Sequence, residues 1–361
     1  MKDFIRSILE DEFKDYTNFK PDSFFEKSPL LKFLDLKTGA ISGSTKTRRN
    51  LATIYAIYAI LSFYYNDYFK KPDDYKEFLG YDFTKLLDFC RKLYGGEKLQ
   101  NHAFNNRVNG EFKNKIVSES GNDLIIINEG KYALHIDYLY VEGIDISKTA
   151  IRIIEEYINI LAAKDSKLIS DIEELIKMNS ADEKRAKISE LLDEQSEARI
   201  FEIISYSILK NHYKSVKVFF GYSREVLQEQ YLKLYKTGRT NANDGGIDFV
   251  MRPVGRFFQV TEVRNYDKYL LDIDKVMHFP ITFVIKTIQH KEAVLAQLDN
   301  YIEQKSGGMK IIRERYKQAI EEIITINELK LWLNALDNQS IDELLQDINK
   351  YYRLELNLPF I

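Results

Sequence analysis

One cysteine, Cys90, stands among 361 residues, which excludes an intramolecular disulfide and any cysteine-rich zinc site and suits a reducing compartment. Flanked by Leu86, Phe89 and Leu93, its thiol reads as a buried structural group rather than a nucleophile. Neither charge is in excess: 52 Lys+Arg meet 55 Asp+Glu, and the net charge of −3 excludes a uniformly basic protein. Membrane-length apolar runs are missing too. The most apolar stretch, Leu51 to Tyr65, is shorter than a span and ends in Asn66-Asp67, so a buried core helix is expected there. Met1-Lys-Asp-Phe-Ile-Arg6 is charged where an export signal is apolar, and a cytoplasmic location without membrane contact is the expectation. There is no fixed-period repeat and no low-complexity linker. A single tryptophan beside 24 tyrosines and 22 phenylalanines, with abundant Lys, Ile and Asn, reflects low-GC coding more than a stacking chemistry. What is present, 45% hydrophobic and 30% charged residues, is ordinary for a globular chain with room for two cores.

The most informative stretch runs from Asp244 to Thr261. Residues 246–251 and 256–263 are rich in Ile, Val and Phe, and Arg252-Pro-Val-Gly255 between them is turn chemistry, so a β-hairpin is expected. Side chains alternate across a strand, which puts Gln259, Thr261 and Val263 on one face and Phe258, Val260 and Glu262 on the other. Pairing about the turn sets Asp248 nearly opposite Gln259, within reach of a shared ion. Upstream, residues 194–210 carry Ile200, Ile203, Ile204, Ile208 and Leu209 at helical spacing, with Ser196 as the expected cap, followed by a strand over 216–222. Downstream, residues 281–286 read as a buried strand after Pro280.

Gly245-Gly-Ile-Asp248, a hairpin, and then Gln259-Val-Thr261 eleven residues on resemble the PD-(D/E)XK nuclease superfamily, and within it the type II restriction endonucleases and Mrr-like nucleases. The resemblance implies a C-terminal restriction-endonuclease-like core, a mixed sheet flanked by helices. Asp248 and Gln259 match its metal-binding positions and Val260 the residue whose carbonyl joins the metal shell. The upstream helix implies a further acidic ligand, for which Glu202 is the first candidate and Glu197 the second. Mg²⁺ is the implied cofactor and duplex DNA the implied substrate, cut by a homodimer of a restriction–modification system. Thr261 stands where the family carries lysine, and Lys286, at the end of the downstream strand, is the candidate replacement. An offset reading, Glu262-Val-Arg264, puts its glutamate on the wrong face.

Each of these residues also has an ordinary reading. Asp248 after two glycines suits a turn, Gln259 a solvated strand face, Glu202 a salt bridge on a charged helix, and Lys286 a strand-end surface lysine.

Charge is unevenly spread. Residues 37–115 hold 14 Lys+Arg against 8 Asp+Glu, the basic part of an otherwise acidic chain. Within it, Lys46, Arg48 and Arg49 precede the apolar helix at Leu51, an arrangement suited either to gripping phosphate at a helix start or to a capped end with solvated cations. The segment is not a P-loop, because the first glycine is missing at the required spacing. A second helix near residues 81–94 is followed by an amide-rich stretch with Asn105, Asn106, Arg107 and Lys113, and then by a hairpin over 124–137 with Asn128-Glu-Gly-Lys131 at the turn. Helices followed by a hairpin resemble a winged-helix DNA-binding module. In such a module those four residues are the base-reading candidates, since Asn and Arg pair bidentately with adenine and guanine edges.

The expected organisation is therefore mixed α and β. Residues 1–144 form a mainly helical, winged-helix-like DNA-reading domain, 145–193 a charged helical connector with a cap at Ser180, and 194–361 the nuclease-like domain, with helical patterns over 310–328 and 340–354. Three functions fit: a sequence-specific, Mg²⁺-dependent endonuclease; a DNA-binding protein on a nuclease scaffold that no longer cuts; and a helical interaction protein whose motif match is chance.

Overall fold

The computed structural model describes residues 1–361 except 40–49, 98, 100–103, 105, 119, 239–246, 263, 264, 357 and 359–361, with residue 106 described by its backbone alone. Lys46, Arg48, Arg49 and Asn105 therefore lie outside the described residues. The fold is mixed α and β, in two compact units, 1–166 and 167–361.

In the first unit the helix Leu51–Tyr68 is apolar around its circumference and is buried accordingly, through residues such as Ile54, Ile57, Ile60, Leu61 and Tyr64. Among the described residues no helix is long and apolar enough to cross a membrane. Cys90, on the helix Phe83–Arg91, is fully buried, and its Sγ donates to the Tyr55 carbonyl at 3.2 Å. Burial pushes this thiol up to about 12. At pH 8 only about one thiol in 10⁴ is then ionised, so alkylation by iodoacetamide should run about 10³-fold slower in the folded protein than in urea. Equal rates in the two states would place Cys90 outside the core.

A three-stranded sheet completes this unit, in the order Tyr81–Asp82, Lys131–Leu134, Ile125–Asn128. The last two form the expected hairpin, with Asn128 opposite Lys131. Glu129 and Gly130 between them take φ of 49° and 79°, the paired left-handed conformations of a two-residue turn whose twist matches the strands. The helix Asn106–Lys115 is fixed to this hairpin through one side chain. Buried Asn109 donates Nδ2 to the Ile125 carbonyl at 2.8 Å and accepts from the Ile125 N–H at 2.9 Å. Asn109→Ala strands both backbone groups out of water and should cost about 2 kcal/mol, read as a lower urea midpoint. An unchanged midpoint would mean the clamp is dispensable.

Residues 147–177 form one helix, Ser147–Lys177, and the division between the units falls within it. The next helix, Ala181–Leu191, starts as read, with the Ser180 side chain accepting from the Glu183 N–H at 3.3 Å.

The second unit is built on a five-stranded sheet ordered Ile320–Ile324, Ile281–Ile285, Arg256–Thr261, Phe249–Arg252, Lys233–Lys236. The first three run parallel, and the last two pair antiparallel. Phe249, Met251, Phe258, Val284 and Ile324 form one face, in a core with Phe201, Ile204 and Ile208 of the helix Ala198–Tyr213 and with the helix Asn338–Glu355. Ile281, Phe283, Ile285 and Ile323 form the other, beneath the helices Tyr266–Lys275 and Lys291–Lys305.

Three local expectations change. The strand expected over 216–222 forms at Lys217–Phe220, but it pairs only with Gln228–Tyr231 in a separate ribbon, and Lys233–Lys236 takes the edge of the main sheet. The stretch 310–328, read as helical, is a helix Lys310–Gln318 followed by the strand Ile320–Ile324, where parallel pairing with Ile281–Ile285 outweighs helical spacing. Ser196 does not cap its helix, which starts after Glu197; its hydroxyl turns back to the Asp193 carbonyl at 2.7 Å.

Candidate functional site

The hairpin register matches the sequence reading. Arg256 faces Met251 and Phe258 faces Phe249, so the next rung sets Asp248 against Gln259. The Asp248 N–H donates to the Phe258 carbonyl at 2.9 Å, and its Oδ2 accepts from the Val260 N–H at 2.6 Å. The carboxylate thus ends the ladder where the two strands part, taking the place of a strand carbonyl. On its other side the Asp248 carbonyl accepts from the Thr237 N–H at 2.9 Å, which ties the edge strand to the same point.

Gln259 is buried. Its Nε2 donates to the Val260 carbonyl at 3.2 Å, while its Oε1 has no hydrogen-bond partner among the described residues. A buried amide oxygen left without a donor costs about 1–3 kcal/mol, and Gln259 shares this with buried polar atoms of Arg199, Ser205 and His278 among the described residues. Directly opposed residues on antiparallel strands have Cβ atoms about 5 Å apart, so this oxygen and the Asp248 carboxylate share one face at one rung.

The other candidates do not join them. Thr261 is on the Gln259 face, buried, with its hydroxyl hydrogen-bonded to Tyr269. Burial raises the Tyr269 phenol and the Thr261 bond opposes the shift. Glu202 belongs to the helix covering the opposite face, where it accepts from Lys236 Nζ at 2.8 Å, and Lys236 also lies 4.0 Å from Glu355. Alternation along Lys233–Lys236 turns Leu234 and Lys236 inward together, so Glu202 meets a buried ammonium instead of an ion held by Asp248. Lys286 also serves that opposite face: its Nζ lies 2.5 Å from Glu262 and 2.5 Å from the Ser196 carbonyl. It anchors the start of the helix Ala198–Tyr213 and does not fill the Thr261 position. Glu262, the acid of the offset reading, is this lysine's partner.

Among the described residues no three His, Cys, Asp or Glu side chains gather as a metal cage. The donors at the hairpin are one carboxylate, one orphaned amide oxygen and one backbone carbonyl. That all-oxygen, sparse set fits Mg²⁺, which keeps several waters and is held by one or two carboxylates together with substrate phosphate.

In the first unit Arg107 pairs with Glu111 at 3.3 Å and Lys113 with Asp123 at 2.9 Å; Arg107, Lys113 and Asp123 are exposed, while Glu111 is half-buried and also paired with the buried Lys37. An exposed pair such as Lys113–Asp123 is worth at most about 1 kcal/mol. Sequence reasoning missed Asn109, grouped with solvated amides, and Lys236, whose inward register follows from its alternation with Leu234.

No family model, no curated protein and no solved structure matches this chain.

Proposed function

We propose that the protein is a Mg²⁺-dependent DNA endonuclease of the type II restriction kind, with Asp248, Gln259 and the Val260 carbonyl holding the ion. The observation that carries this reading is the rung pairing Asp248 with Gln259, whose buried Oε1 has no donor among the described residues. The order around the rung supports it in part: after helix Ala198–Tyr213 and the separate ribbon come three antiparallel strands, helix Tyr266–Lys275 and the parallel strand Ile281–Ile285, with the edge strand Lys233–Lys236 standing where the resemblance implies the strand over 216–222.

Magnesium, when bound, supplies activation of a water and neutralisation of the charge developing on phosphate. The chain's own part is positional. Asp248 holds the Val260 N–H and so fixes the strand on which Gln259 stands. Glu202 and Lys236 lock the supporting helix to the edge strand from behind.

The first unit supports the DNA-reading half. The helices Leu51–Tyr68 and Pro72–Lys76, a short strand, two further helices and a hairpin, with the short strand pairing to the hairpin's second strand, resemble a winged-helix module, and in that reading Asn106–Lys115 is the recognition helix. Arg107 and Lys113 are then its candidate base and phosphate contacts.

A second reading, duplex binding without cleavage, is favoured by one observation: the Thr261 position has a neutral hydroxyl tied to Tyr269, and Lys286 is held elsewhere. Incubating the purified protein with mixed-sequence duplex DNA separates the two. Discrete fragments with Mg²⁺ and none with EDTA are expected. Salt-dependent retardation without cutting in Mg²⁺ or Mn²⁺ would favour the second reading, and neither cutting nor retardation would leave a protein-interaction role.

A further inference from the structure

Arg199, the second residue of the helix Ala198–Tyr213, is half-buried, and its Nε and Nη1 are buried without a hydrogen-bond partner. A guanidinium does not lose its proton in a protein, so these orphaned atoms belong to a permanent charge. The chain's other inward arginines are held differently. Arg185 pairs with Asp182, Arg256 with Glu322 and Arg353 with Glu173, whereas Arg199 forms no ion pair among the described residues. Buried charges are as a rule paired. Glu202, one turn on, is taken by Lys236 at 2.8 Å, and Glu194 accepts from the Thr287 hydroxyl at 2.9 Å.

Position says what the absent counter-charge is. Tyr206 donates to the Leu234 carbonyl at 3.0 Å and Glu202 accepts from Lys236, so the helix runs back along the edge strand. The two stay in step, since four helical residues cover about 6 Å and two strand residues about 6.6 Å. Residues three and four apart share a helix face, which puts Arg199 on the face of Glu202 and Tyr206. It stands about 4.5 Å beyond Glu202 along the axis, and its side chain leans further toward the helix start. The paired rungs of the edge strand end at Lys236–Phe249, and the N–H of the next residue, Thr237, donates to the Asp248 carbonyl at 2.9 Å. Arg199 is therefore level with the Asp248 rung, beyond the end of the sheet that stands between Glu202 and that rung. The helix start is fixed beside the central strand as well: the Ser196 carbonyl holds Lys286, whose N–H donates to the Thr261 carbonyl at 2.9 Å.

We infer that Arg199 contacts a non-bridging oxygen of the phosphodiester being cut and supplies there the positive charge that Thr261 and Lys286 do not. The inference rests on the endonuclease reading and adds to it a residue that touches the substrate. Guanidinium suits phosphate because its N–H groups are fixed in a plane and weakly hydrated. With no carboxylate of its own among the described residues, Arg199 keeps its charge for the oxygens on which negative charge develops.

The test sets Arg199→Met and Arg199→Lys beside the wild-type protein in three measurements: single-turnover cleavage of mixed-sequence duplex in Mg²⁺, retardation of the same duplex, and thermal unfolding. Arg199→Met should cut about 10²- to 10³-fold more slowly. Arg199→Lys keeps a charge without the planar fork and should recover part of that loss. Retardation should change far less than cutting. The thermal midpoint of Arg199→Met should equal or exceed that of wild type, because its buried nitrogens give up no hydrogen bond on removal. A midpoint that falls in both variants in step with the rate would make Arg199 a structural residue and overturn the inference. Cutting by Arg199→Met at the wild-type rate would overturn it while leaving the endonuclease reading intact. A wild-type protein that does not cut would overturn both.

Discussion

Lys236→Met should lower the unfolding free energy of the second unit by about 3–5 kcal/mol, read from the urea midpoint at pH 7. The lysine and Glu202 are each only 8% exposed at the side chain, and Glu355, 4.0 Å from the ammonium, only 4%. Methionine keeps much of the apolar stem and removes the charge. Two buried carboxylates then lose their cation, and breaking a buried pair from one side leaves a desolvated charge whose cost falls in that range. Lys236→Met/Glu202→Met, which removes the charge on both sides of the 2.8 Å contact, should recover part of the loss. A single-variant cost below about 1 kcal/mol would mean that Glu202 is not held by this lysine and is available to an ion after all.

Asp248→Asn should abolish cutting by on the order of 10²–10³-fold while duplex affinity and stability change little. Asparagine keeps an oxygen for the Val260 N–H, now 2.6 Å from Oδ2, so the strand end stays in place and only the charge is lost. Asp248→Ala loses the backbone partner as well and should cost a further 1–3 kcal/mol or so in stability. Single-turnover cleavage in Mg²⁺, set beside retardation of the same duplex, separates the effects. If Asn and Ala lose cutting only in proportion to lost stability, Asp248 is a turn-stabilising aspartate and not a ligand.

The hairpin was legible because its signals are local. Turn residues at 252–255 and period-two alternation fix its register, and with it the rung joining Asp248 to Gln259. The 125–134 hairpin and the Leu51–Tyr68 helix were legible for the same reason. What escaped depends on partners distant in sequence. Lys217–Phe220 alternates like a sheet strand, yet which strand it joins is decided by Gln228–Tyr231. Ile320–Ile324 lies in a helical pattern, yet completes the parallel run beside Ile281–Ile285. Glu202 is on the expected helix, but the acid's role depends on Lys236, thirty-four residues away. The same holds for Lys286, whose place is set by Glu262 and by the Ser196 carbonyl ninety residues upstream.

The most direct measurement is a map of duplex ends produced in Mg²⁺ by the wild-type protein and by Asp248→Asn from the same mixed-sequence DNA. Wild type should give discrete ends sharing a sequence around the cut, and Asp248→Asn should give retarded but intact duplex. The same discrete ends from Asp248→Asn would contradict the assignment of the site to the Asp248–Gln259 rung.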